Sequence, residues 1–172
     1  EEVRRKLKME ISLGIGNRVQ TVTIPDENIA GILLPNSVQE ERSEEDEVKR
    51  ALANPIGTPR LCNIAKPDKK VVIITSDITR PMPTARVMPA LLDELYEAGV
   101  PKENITLVFA LGSHRPHTED EKKKLAGERA YSEISCIDSD PCDCVHMGVT
   151  SRGTPVAIFR PVAAADMKIC LG

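Results

Sequence analysis

The first regular pattern along the chain has a period of two. Leu7, Met9, Ile11 and Leu13 alternate with Lys8, Glu10 and Ser12, a Gly14-Ile15-Gly16-Asn17 turn follows, and Val19, Thr21 and Thr23 resume the alternation. Successive strand side chains point to opposite faces, so this pattern predicts a β-hairpin. The run Asn28-Ile29-Ala30-Gly31-Ile32-Leu33-Leu34, closed by Pro35, predicts a third strand of the same small antiparallel element. From Ser43 the signals turn helical. A capping serine precedes the acidic Glu44, Glu45, Asp46 and Glu47, and the basic Lys49 and Arg50 come later, an order that suits the helix dipole. A helix over 43–53 is expected, stopped by Asn54-Pro55.

Beyond this point strands and helices alternate. Val71-Val72-Ile73-Ile74 is a short, wholly apolar, β-branched run, as expected of a strand covered on both faces. Met88, Leu91, Leu92 and Leu95 recur at helical spacing before Gly99 and Pro101. Residues 105–111 read as a second buried strand. Thr118-Glu119-Asp120-Glu121 has the form of a capping box, opening a helix that runs to about Leu125 before Gly127. Residues 134–137, 145–149, 156–159 and 167–171 are further candidate strands. Serial β-α-β units of this kind predict an α/β fold: a largely parallel, Rossmann-like sheet flanked by helices and joined by right-handed crossovers, preceded by the small N-terminal antiparallel β element. The expected division is a β element over 1–36, packed on an α/β domain over 37–172.

Composition narrows the class. With 172 residues, 41% hydrophobic and 28% charged, the chain has globular composition. At this size folding hides about 70% of the unfolded surface, so neither disulfides nor a metal are required to hold the core. A net charge of −3 lacks the basic excess of a protein built to grip a phosphate backbone, which argues against nucleic acid. No run approaches the roughly 18 to 20 apolar residues of a membrane span, which argues against a membrane protein. The opening Glu1-Glu2-Val3-Arg4-Arg5-Lys6 has no apolar region or cleavage site after it and does not read as a signal peptide; the missing initial Met reads as processing or trimming. Five scattered cysteines read as reduced thiols, and the expected compartment is the cytoplasm.

Two loops carry candidate chemistry, each directly after a buried strand, at the sheet edge where open α/β sheets bind ligands. The first is Ser76-Asp77-Ile78-Thr79-Arg80-Pro81-Met82-Pro83. Arg80 offers a planar donor fork for a carboxylate or phosphate, Asp77 could orient it or accept from ligand hydroxyls, and Pro81 and Pro83 stiffen the backbone. The bland alternative is that Ser76, Asp77 and Thr79 cap the coming helix while Arg80 pairs with a surface acid. The second loop is Gly112-Ser113-His114-Arg115-Pro116-His117-Thr118. His114 is a candidate proton carrier near neutral pH, Arg115 is a second anion donor, and His117, beside the capping Thr118, reads as a surface residue of the first turn. Cys136, Cys142, Cys144 and His146 fall close together, but Cys142-x-Cys144 lacks the usual two-residue gap and no second pair follows, so no metal is assigned to them. Cys62 and Cys170 sit in apolar company and read as core.

The words SDITRPMP (Ser76 to Pro83) and FALGSHRPHT (Phe109 to Thr118) resemble the N-terminal domain of the nickel-pincer-dependent lactate racemase family. Weaker similarity runs through DENIAG from Asp26, ANPIGTPRL from Ala53, SRGTPV from Ser151 and AAADMKICLG from Ala163. The resemblance implies an α/β domain of an isomerase that inverts the hydroxyl-bearing carbon of a 2-hydroxy acid by moving a hydride to a nickel pincer nucleotide and back, with histidines exchanging the hydroxyl proton. It implies that His114 is an acid/base histidine, that Arg80 holds the substrate carboxylate, and that Asp77 and Thr79 lie near the cofactor. The family's attaching lysine, second catalytic histidine and nickel-ligating histidine lie downstream of the stretch matched here, so the resemblance implies an N-terminal half, cut short at its C-terminal end. That half is expected to be inactive and to bind no nickel tightly without the C-terminal domain of the same protein. The competing expectation is a non-catalytic α/β module holding a phosphate or carboxylate through Arg80 and Arg115.

Overall fold

The computed structural model describes residues 8–37, 42–80 and 82–172; the charged opening residues, Leu7 and Pro81 lie outside them. The chain divides into two compact units, Glu1–Glu40 and Glu41–Gly172. In the first, β1 (Lys8–Ile15) and β2 (Arg18–Pro25) pair antiparallel, from Lys8 opposite Pro25 to Ile15 opposite Arg18. Gly16 in the two-residue connection takes φ +58°, the left-handed backbone that tight hairpin turns demand. The expected third strand does not form. Asp26–Asn28 instead make one 3-10 turn, closed by the Ile29 N–H donating to the Asp26 carbonyl at 3.1 Å, and residues 29–37 carry no strand. Ala30 and Gly31 give a ladder little to pack, and Leu33 and Leu34 stay exposed without a partner strand among the described residues.

In the second unit, α1 (Glu44–Ala53) begins where its cap predicts, with Ser43 Oγ accepting the Asp46 N–H at 3.2 Å. The single-turn α2 (Leu61–Ile64) follows, then β3 (Val71–Ser76), α3 (Thr84–Glu97), β4 (Ile105–Ala110), α4 (Glu119–Ala126), α5 (Glu128–Glu133), β5 (Ser135–Asp138), β6 (Cys144–Val149), β7 (Pro155–Phe159), α6 (Arg160–Ala164) and β8 (Met167–Cys170). Four strands form one sheet in the order β5-β4-β3-β8, and all three pairings are parallel. The candidate strands at 145–149 and 156–159 do not join it. They appear as β6 and β7, an antiparallel pair of their own with a register shift between His146 and Gly148.

The apolar runs serve both faces of the sheet. Ile73, Leu107 and Phe109 pack with Met88, Leu91, Leu92 and Leu95 of α3 on one side, while Val72 and Val108 pack with Ala165, Phe159 and Val162 on the other. This is why β3 and β4 read as continuous hydrophobics rather than as an alternation. Thr118 and Glu121 complete the predicted capping box at α4. Between α4 and α5, Gly127 takes φ +82° and lies so close to α3 that an added Cβ would stand 3.2 Å from the Ala85 Cβ and 3.3 Å from its carbonyl oxygen. A half-buried ion pair ties the preceding segment to the same helix: Arg60 donates to Glu94 at 2.5 Å, and Glu94 also accepts the Cys62 N–H. Among the described residues no helix is long and apolar enough to cross a membrane.

Candidate active site

β3, β4 and β8 are neighbours, and the loops leaving their C-terminal ends enclose an open cavity of about 430 Å³ lined by Asp77, Arg80, Gly112, His114 and Cys170 among others. The two loops expected to carry chemistry therefore share one crevice, as the general rule for open parallel sheets requires. The first loop is anchored below by Thr75 and Thr84, whose hydroxyls meet at 2.6 Å in a buried contact between the end of β3 and the start of α3.

Asp77 is the hub of this loop. Its side chain is only 4% exposed, and both its oxygens are engaged: Oδ1 accepts from the Thr79 N–H at 3.3 Å and the Thr79 hydroxyl at 2.7 Å, and Oδ2 lies 2.5 Å from His114 Nδ1. Burial pushes the Asp77 carboxyl up, but the hydrogen bonds from Thr79 and His114 outweigh it and hold the group below the ordinary aspartate range. Asp77 is thus an ionised carboxylate at neutral pH. It fixes Nδ1–H as the bond it accepts and leaves His114 Nε2, without a hydrogen-bond partner among the described residues, as the nitrogen able to take up a proton.

The capping part of the bland reading of the first loop does not hold. No side chain caps α3, whose cap position is Pro83; Asp77 bonds instead to Thr79 within its own loop and to His114 across the crevice. Arg80 donates from Nη1 to the Thr79 hydroxyl at 3.0 Å and has no carboxylate partner among the described residues, so its guanidinium stands at the crevice uncommitted to an anion. Thr79 does not line the cavity; it links Asp77 to Arg80.

Arg115 is placed elsewhere. It grips Glu121 through two bonds of 2.8 Å and also donates to the Pro116 carbonyl, and it does not line the cavity. That fork, together with the Thr118 N–H, holds the Glu121 carboxyl down at about 2. His117 is not a surface residue. Its side chain is 1% exposed, with Nδ1 2.6 Å from Asp138 Oδ1, Nε2 accepting the Ile78 N–H at 3.1 Å and the Phe109 ring edge-on at 5.4 Å. Sequence reasoning missed it because its partners are 21 and 39 residues away.

All five cysteines are free. Cys170 is not core: it is exposed at the end of β8, the edge strand of the sheet, and forms part of the crevice wall. Cys62 is half-buried, while burial pushes the Cys136 thiol up to about 11. Cys136, Cys142, Cys144 and His146 do not gather their ligand atoms. Among the described residues Cys62, Glu94 and Glu97 do, but Arg60 already neutralises Glu94 there.

A parallel α/β domain with an open crevice at its carboxyl edge, furnished with a carboxylate-held histidine and an arginine without a carboxylate partner among the described residues, is the class that fold and site define. Within that class, the chain belongs to the lactate racemase N-terminal domain family, whose model matches residues 15–172. It is 36% identical to the lactate racemase of Thermoanaerobacterium thermosaccharolyticum and 33% identical to that of Lactiplantibacillus plantarum, in each case over 94% of this chain and 39% of the relative. The solved lactate racemase apoprotein from Thermoanaerobacterium thermosaccharolyticum matches with a TM-score of 0.79 at 34% identity, over 94% of this chain and 38% of that one. The chain therefore spans about two fifths of the length of these relatives.

Proposed function

We propose that this chain is the N-terminal part of a 2-hydroxy-acid racemase or epimerase that works by hydride transfer with histidine acid/base catalysis. One observation carries the reading: His114, held at Nδ1 by ionised Asp77, shares a crevice with Arg80, which has no carboxylate partner among the described residues. Arg80 presents a planar fork to the substrate carboxylate. His114 Nε2 accepts the proton of the 2-hydroxyl as the carbon–hydrogen bond is cleaved and returns it when the bond re-forms, while Asp77 holds the ring in one tautomer and stabilises the charge it gains. The cavity of about 430 Å³ suits a small molecule.

A nickel pincer nucleotide, implied by the family, would supply the hydride acceptor when bound. The residues fit it in part. Arg80 suits its anionic groups, with Asp77 and Thr79 beside it, but the crevice gathers no set of metal ligands among the described residues. Attachment of the group and its metal are therefore assigned to the C-terminal domain of the same protein. A cytoplasmic setting, with the thiols reduced, belongs to the same proposal.

The test is His114→Gln in the full-length protein. Turnover is expected to fall by roughly 10² or more while binding of the 2-hydroxy acid is kept. Unchanged turnover removes His114 as the acid/base; a wild type that binds the acid without turning it over favours the alternative, a non-catalytic module that holds a phosphate or carboxylate through Arg80.

A further inference from the structure

Two histidines three positions apart in the second loop both reach the first loop. His114 contacts Asp77 and His117 contacts its neighbour Ile78. The two contacts differ in kind. His114 is 45% exposed at the crevice, whereas His117 is sealed in, with both ring nitrogens engaged. A backbone N–H can only donate, so His117 Nε2 is the acceptor and Nδ1 carries the proton given to Asp138. Asp138 in turn accepts the His117 backbone N–H through its other oxygen at 2.9 Å. The neutral ring is thus a rigid strut from the end of β5, across the second loop, to the backbone of the first.

We infer that His117 is a positioning residue for the Asp77–His114 pair: its Nε2 fixes the Ile78 peptide and thereby the place of the Asp77 carboxylate beneath the acid/base histidine. The inference rests on the acid/base reading of His114. One bond between two loops leaves a hinge about that bond; two bonds from adjacent residues fix the angle as well as the distance. The turn that holds the first loop, the Arg80 N–H on the Asp77 carbonyl at 3.1 Å, is local to that loop and does not tie it to the second. Small misplacements of an acid/base pair are costly, which is why a second strut matters.

Asparagine and glutamine separate the two halves of the strut. In His117→Asn the side-chain amide stands where Nδ1 did and keeps the Asp138 bond; in His117→Gln the amide oxygen reaches the place of Nε2 and keeps the Ile78 bond. In the full-length protein, His117→Asn is expected to lower kcat roughly tenfold or more with KM within about twofold, and His117→Gln to recover most of the loss. Hydrogen exchange of the Ile78 amide, read by mass spectrometry, is expected to be slow in the wild type and in the Gln variant and fast in the Asn variant. A folded Asn variant with unchanged kcat, an equal loss in both variants, or a fast-exchanging Ile78 amide in the wild type overturns the inference; the last needs no variant to fold. Should the wild type fail to racemise any 2-hydroxy acid, the racemase reading falls, while exchange at Ile78 still decides whether the strut exists.

Discussion

Asp77 is nearly buried yet charged, and its stability contribution carries a pH signature. Its carboxyl is lowered in the folded chain against an ordinary 3.8, so the folded state binds the proton less well than the unfolded state. The contribution is complete above the ordinary carboxylate range and is lost as pH falls through the lowered folded value. Asp77→Asn should therefore cost about 1–3 kcal/mol near neutrality, a penalty that shrinks as pH falls below about 4. Urea midpoints of both proteins across that range check this, and a penalty independent of pH would show that Asp77 is not held as an ion. At this scale the sequence was half legible. His114 and Arg80 stood out because each sits in a polar, proline-bearing loop directly after a buried strand. The bond from Asp77 to His114, 37 residues apart, and the burial of His117 depend on which strands are neighbours, which residue patterns near either position do not encode.

Elements were most readable where one local signal sufficed. Ser43 and Thr118 cap their helices as expected, and β3 and β4 fall on the apolar runs. The strand expected at 28–34 and the placement of β6 and β7 failed for one reason: a strand needs a partner, and apolar content does not name it. The α4–α5 junction shows the opposite case, a single residue deciding an element boundary. Gly127 combines a left-handed backbone with close approach to backbone atoms of Ala85, which cannot yield as a flexible side chain would. Gly127→Ala is expected to destabilise by roughly 1–3 kcal/mol, through backbone strain and displacement of the junction from α3. A thermal melt measures it, and a neutral result would mean that the junction moves freely.

Taken whole, the second unit contains its own core. Every residue of the two hydrophobic clusters lies beyond Glu41, the half-buried ion pair of Arg60 and Glu94 has both partners within the unit, and the crevice is lined from the same stretch. Residues 41–172 expressed alone are therefore expected to unfold in one cooperative transition by circular dichroism; a broad, non-cooperative loss of signal would show that the core depends on chain outside these bounds. The fold class was legible from the alternation of apolar runs and helical periods, whereas the sheet order β5-β4-β3-β8 was not, because strand adjacency is settled by packing. That order also sets a timetable for synthesis. Once the ribosome has released the chain through Asp138, β3, β4 and β5 can pair and the Asp77–His114 and His117–Asp138 contacts have both members, while the place of β8 beside β3 is still open. The last wall of the crevice, Cys170 at the end of β8 and Leu171 after it, emerges some thirty residues later, so the contact between Asp77 and His114 can form in the nascent chain before the cavity beside it has its β8 wall.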